Sequence, residues 1–142
     1  MKLVVDASVA LKWFFRERTD ESDTPAALDI LQGHVDRRHE LLQPPHFMAE
    51  MCAVLAREAP RTMDENLRDL LDLAMPMRDD PPIYWRAMQL SRELGHHLFD
   101  TLYHALALET DGAMLVTADE AYVRKARGFG RVAPLSTWAV GR

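Results

Sequence analysis

Four carboxylates in this chain stand where an apolar run has just ended or a helical pattern begins: Asp6, Glu50, Asp100 and Asp119. Asp6 closes the run Leu3-Val4-Val5, and Asp119 follows Met114-Leu115-Val116 through Thr117 and Ala118. In open α/β sheets, ligands bind beyond the carboxyl ends of the strands. Each acid also has a structural use. Asp is a usual helix cap, as Asp6 would be. Asp100 falls in a first helical turn, where the helix dipole favours a carboxylate. Thr117 and Glu120 have capping-box spacing, which leaves Asp119 needed by neither role. Glu50, flanked by Ala49, Met51 and Ala53, is either the exposed position of an apolar helix or a carboxylate facing a polar cleft. Together the four can supply one oxygen-rich site. Hard cations such as Mg²⁺ and Mn²⁺ prefer carboxylate and water ligands. Gathered acids raise one another's pKa unless cations bind. One or two such cations suit phosphodiester hydrolysis, with no enzyme-linked nucleophile required.

The elements that position these acids follow from periodicity. Leu3-Val4-Val5 reads as a strand covered on both faces. Val9–Arg16 is helical, with Val9, Leu11, Trp13 and Phe14 inward and Lys12 and Arg16 outward. Thr19–Asp23 reads as a polar loop. Thr24 then caps a helix to about Arg38, with Pro25 at its first position and Gly33 inside it at a cost of about 1 kcal/mol relative to Ala. A short strand at Glu40–Gln43 precedes a helix from about His46 to Ala59. Thr62 and Glu65 have capping-box spacing for the next helix. Met75-Pro76-Met77 is a weak strand, and Pro81–Leu94 a helix stopped by Gly95. A helix from Phe99 to about Thr110, a strand at Ala113–Val116, a helix over Thr117–Arg127 and a strand at Arg131–Leu135 complete the series, before a tail ending in Trp138 and Arg142. Four or five short strands with helices in nearly every connection predict one α/β domain over residues 1–142, three layers on a mostly parallel sheet.

Composition narrows the function classes. The 142 residues are 48% hydrophobic and 27% charged, ordinary for a globular protein. No apolar run reaches the roughly 18 residues of a membrane span. No basic start leads into an apolar stretch and cleavage site, so secretion is not indicated. The lone Cys52 has no disulfide partner, which fits a cytoplasmic setting and a buried apolar role. The net charge of −5 argues against nucleic-acid binding through a broadly basic surface, unless bound cations cancel several acids. The six histidines lack zinc spacing, and there is neither a glycine-rich phosphate loop nor a G-x-S-x-G elbow.

Four blocks in order resemble a known family: VVDASVALKWF at Val4–Phe14, PPHFMAEMCAVL at Pro44–Leu55, FDTLYHALALE at Phe99–Glu109 and LVTADEAYVRKA at Leu115–Ala126. The chain resembles PIN-domain ribonucleases, and more narrowly the toxin of VapBC-type toxin–antitoxin pairs. The second block is the loosest and rests mainly on Glu50. Phe99 and Thr101 are less usual neighbours for the third block's Asp100. The resemblance implies an endoribonuclease using Mg²⁺ or Mn²⁺ bound by Asp6, Asp100 and Asp119. Glu50 would bind directly, through water, or orient the attacking water. Ser8 and Thr117 match positions whose hydroxyls hold the acids or metal-bound water. The resemblance also implies strand order 3-2-1-4-5 with the Asp6 strand central, an RNA substrate, an antitoxin partner and a homodimer.

Lys12 and Arg16 on the helix leaving Asp6, and Arg124, Lys125 and Arg127 after Asp119, could meet RNA phosphate; a solvated helix face is the alternative. The apolar helices at 47–55 and 67–75, with Trp13, Phe14 and Trp85, offer surface for partners. Two rivals remain: a catalytically silent PIN-like module that only binds a partner, and a phospho-acceptor signalling domain. The latter wants a Lys after the last strand, where Leu135 and Ser136 stand. For the nuclease reading, the carboxylates of Asp6, Asp100 and Asp119 should converge to share a metal at roughly 2–2.6 Å per oxygen, with or without waters.

Overall fold

The computed structural model describes residues 1–18 and 23–141. The expected polar loop from Thr19 therefore lies outside the described residues except for Asp23, as does Arg142. Among the described residues the chain forms a parallel sheet of four strands, β1 (Lys2–Val5), β2 (Glu40–Leu42), β3 (Ala113–Thr117) and β4 (Val132–Pro134), in the order β2-β1-β3-β4. Seven α-helices accompany it: α1 (Ala7–Phe14), α2 (Thr24–Val35), α3 (Phe47–Glu58), α4 (Met63–Asp72), α5 (Pro81–Leu94), α6 (Leu98–Leu108) and α7 (Glu120–Ala126).

β1 is central because its side chains can be buried on both faces; Leu3, Val4 and Val5 are all in the core. Its register fixes the rest of the molecule. Val4 lies beside Leu42 on one flank, and Val5 beside Val116 on the other. Val116 in turn lies beside Ala133. The residues just beyond that register, Asp6 and Thr117, are thereby brought to the same end of the sheet. α6 packs across β1 and β3 with α5 against it, while α1 packs on α2 and α3.

The expected third strand is reduced to one bridge. Met77 pairs in parallel with Gln43, between the bonds Gln43 N–H to Pro76 O and Arg78 N–H to Gln43 O. With it the order is the expected 3-2-1-4-5; Pro76 has no N–H to extend a ladder, so pairing stops there.

Several local expectations are corrected. α2 starts at Thr24 itself, with Asp23 at the cap in a left-handed conformation, and ends at Val35. Thr62 makes no side-chain cap bond; its hydroxyl accepts from the Asn66 amide instead, so the capping box with Glu65 does not form. Cys52 is only partly buried. Lys12, expected outward, is 7% exposed, and Trp13 is buried with its indole N–H donating to Ala27 O. Gly33 has a specific cause: a Cβ there would come within 2.1 Å of the His39 ring, whose Nε2 donates to Ile30 O at 2.7 Å.

Candidate active site

The carboxyl ends of β1 and β3 carry the innermost part of the site. Asp6 occupies the cap position of α1, where its backbone carbonyl accepts from Val9 and Ala10. Its side chain makes no cap bond. Oδ1 accepts from Ser8 Oγ at 2.5 Å, and Oδ2 from Thr117 Oγ1 at 2.6 Å. Both hydroxyls are fixed in turn. Ser8 Oγ accepts from Ala118 N–H at 3.2 Å, and Thr117 Oγ1 from Asp119 N–H at 3.0 Å. Asp6 is thus locked by two neutral donors, one in the first turn of α1 and one at the end of β3.

Burial raises the Asp6 carboxyl from 3.8 to about 6, with the Asp100 charge adding to the rise while the bonds from Ser8 and Thr117 oppose it. Removing a carboxylate from water favours its protonated form, and a neighbouring negative charge works the same way.

Asp119 reverses its expected place. Thr117 is spent on Asp6, so it does not cap α7; Asp119 does, accepting from Tyr122 N–H at 3.0 Å. Glu120 accepts from Ser136 instead of completing a capping box.

Glu50 and Asp100 form the rim, and each is held by an imidazole one helical turn earlier. Glu50 Oε1 lies 2.9 Å from His46 Nε2 and accepts from Tyr103 Oη at 3.2 Å. His46 Nε2 also meets Phe99 O at 2.6 Å. Both its partners are acceptors, so Nε2 carries a proton. Asp100 Oδ2 lies 3.0 Å from His96 Nε2, and Lys125 Nζ lies 3.2 Å from His96 Nδ1. Gly95, left-handed at φ 58°, ends α5 and turns the chain so that His96 N–H reaches Ser91 O and His96 O accepts from the Ser91 hydroxyl.

Two buried tyrosines each feel several of these acids. Burial raises Tyr103, and the charges of Glu50, Asp6 and Asp100 raise it further. Burial likewise raises Tyr122, helped by Asp100, Asp119 and Asp6. Each phenol therefore lies in the field of three of the four carboxylates. Tyr122 Oη donates to His104 Nδ1, whose Nε2 donates to Gly130 O, and its ring packs edge-on against His96.

The donors suit a hard divalent cation, since all four are carboxylates and Asp6 is held in a state that a cation would relieve. Direct coordination is not assembled: among the described residues no three His, Cys, Asp or Glu side chains are grouped to hold an ion. The bonding explains why. Asp6 is turned to two hydroxyls, Asp119 to a helix cap, and the rim acids to their histidines.

The basic residues divide. Lys125 reaches the rim through His96. Lys12 is buried, the Arg16 guanidinium folds back onto Trp13 O, and Arg124 is on the exposed face of α7. His46, His96, Tyr103 and Tyr122 escape the sequence patterns for a site. The available signal for the two histidines is their i, i+4 spacing to Glu50 and Asp100; no local pattern points to the tyrosines.

Among the described residues no helix is long and apolar enough to cross a membrane. In solved structures, the chain is similar to PAE2754 from Pyrobaculum aerophilum, at 21% identity and a TM-score of 0.63, covering 96% of this chain and 94% of that one. Comparison with curated proteins finds no match. Residues 3–128 match the PIN domain, generally a nuclease fold whose enzymes use divalent metals such as Mg²⁺. The matched stretch contains β1, β3 and all four acids, and the chain belongs to the PIN domain family.

Proposed function

We propose that this protein is a metal-dependent endoribonuclease and the toxin of a VapBC-type toxin–antitoxin pair. One observation carries the catalytic reading: Thr117 Oγ1 donates to the Asp6 carboxylate and accepts from Asp119 N–H where β1 and β3 end, with the Asp100 charge acting on Asp6. Asp6, Asp100 and Asp119 would hold Mg²⁺ or Mn²⁺, with Glu50 joining directly or through water. Such a cation would supply Lewis acidity at the phosphodiester and a more acidic attacking water.

The chain's own residues have distinct duties in this reading. Ser8 and Thr117 orient Asp6 without neutralising it. Tyr103 and His46 aim Glu50, which is placed either to bind the cation or to orient the attacking water. Lys125 brings positive charge to the rim, where it can meet a phosphate. Lys12 is buried and so does not meet RNA on a surface.

The test is cleavage of RNA by the purified protein with Mg²⁺ or Mn²⁺, compared with Asp6→Asn and Asp100→Asn. Loss in both variants supports the assignment. Unchanged activity removes it and leaves a PIN-fold module that only binds partners.

The toxin assignment rests on the four sequence blocks quoted above. It expects growth arrest on expression in a bacterial cytoplasm, relieved by co-expression of a small protein encoded next to it. A homodimer is part of the proposal, since Leu71 on α4 and Trp85 and Met88 on α5 leave large apolar side chains exposed. Sedimentation of the wild type and of Trp85→Ala tests that contact.

A further inference from the structure

Beside the carboxylates lies a run of rings whose outer members, Phe99 and His97, the chemistry above does not use. Phe99 immediately precedes Asp100, and its ring is 53% exposed. His46 stacks on it, with centroids 5.7 Å apart and planes 28° apart. His97 tilts against it at 5.0 Å. His46 in turn packs on Tyr103 at 4.6 Å, and the Tyr103 hydroxyl ends on Glu50. The Phe99 carbonyl is held by His46 Nε2, the same atom that meets Glu50. Four rings thus form a ramp from solvent to one rim carboxylate, with the other rim carboxylate on the next residue.

We propose that Phe99, with His97 beside it, is a stacking platform for an unpaired nucleobase of the RNA next to the phosphate being cleaved. This rests on the ribonuclease reading and deepens it, because it makes the substrate single-stranded at the cleavage site.

Three observations favour a base as the occupant. The ring is backed by His46 and anchored through its own carbonyl, so a flat partner meets a surface already ordered. The mouth is acidic and the chain carries −5, so phosphate attraction alone is a poor source of RNA affinity. Stacking on an aromatic face needs no charge and is indifferent to sequence, since every base has a π-face. A base lying on Phe99 would also bring its attached phosphate toward the acids at the neighbouring position in the chain. A paired base cannot offer its face, so duplex RNA is excluded.

The test measures binding of a single-stranded RNA of about ten nucleotides, with Ca²⁺ in place of Mg²⁺, against an oligomer of the same length lacking all bases. Wild type should prefer the base-bearing RNA. Phe99→Ala should lose about tenfold of affinity for it and none for the abasic oligomer, and Phe99→Trp should restore the preference. Equal losses for both oligomers, no loss, or no rescue by Trp overturns the platform. A change of oligomeric state in Phe99→Ala with RNA affinity intact also overturns it, and assigns the ring to a protein interface. Cleavage by wild type with Mg²⁺ separates the two levels. Cleavage without base preference refutes stacking alone, whereas failure of wild type to bind or cleave RNA removes both readings.

Discussion

Asp6 and Asp100 carry the same group and lie in each other's field, yet the fold treats them oppositely. Asp6 is partly buried and held by two hydroxyls that are themselves anchored to the backbone. Asp100 has a side chain 54% exposed and is held by one imidazole. Glu50 belongs with Asp100, being tied to a histidine one turn earlier. Neutral hydroxyls fix a carboxylate's direction while leaving its charge for something else. A single contact to an exposed carboxylate is weakly held and readily exchanged. The inner acid is therefore built for geometry, and the rim acids are free to adjust.

The largest expected effect is on the inner acid. Asp6→Asn should reduce metal-dependent RNA cleavage by more than the roughly 10–100-fold that loss of an outer-shell partner costs. Single-turnover rates over a range of Mn²⁺ concentrations measure it. A loss no greater than that of Glu50→Gln would erase the distinction between centre and rim.

Next come the hydroxyls. Thr117→Val and Ser8→Ala should each weaken Mn²⁺ binding by about 10–100-fold, read by calorimetry as well as by rate. Unchanged binding would mean that Asp6 needs no orienting.

The third effect concerns stability. The unfolded chain releases the Asp6 proton near 3.8 and the folded chain near 6, so between these values the folded state binds more proton. This group's contribution to stability is therefore present below about pH 4, declines as pH rises to about 6, and stays lost above. Without divalent cation, Asp6→Asn should be more stable than wild type by about 2 kcal/mol near pH 7.5, with the gain gone below about pH 4. Urea unfolding at the two pH values checks this. Comparing the two proteins cancels carboxylates with the opposite behaviour, such as Asp29 and Asp80.

The smallest effect is at the rim. His96→Ala should change Mn²⁺ affinity by less than about fivefold, the worth of a single hydrogen bond to an exposed carboxylate. A change as large as that of Thr117→Val would sharpen the comparison by moving His96 to the inner group.

The sequence carried the sheet well because β1 and β3 are short apolar runs ending at acids, a pattern that needs no distant information. Asp6 and Asp119 stood out for the same reason, whereas Glu50 and Asp100 lie in helices and were singled out by their place in helical patterns and by the resemblance. Its capping-box spacing to Glu120 misplaced Thr117, which is drawn away by Asp6 as the resemblance had implied. The local pattern was real; a partner from the other end of the chain outcompeted it, and Asp119 took over the cap. Lys12 was misread because a charged residue in a helical pattern reads as outward, whereas here it is buried. His46 and His96 went unnoticed because they were weighed as zinc ligands, while their spacing to acids on the same helical rise held the information.

The bond between Thr117 and Asp6 joins residues 111 positions apart. Its consequence is one of timing. A growing chain emerges β1 first, and β2 can join it after some forty residues, but the partner that fixes Asp6 is made only when most of the protein has been synthesised. Contacts so distant in sequence also form slowly, because the loop between them must close first. Fragments ending before β3 carry Asp6, Ser8 and Glu50 but lack the strand that assembles them. The arrangement around Asp6 is thus incomplete through most of the chain's own translation.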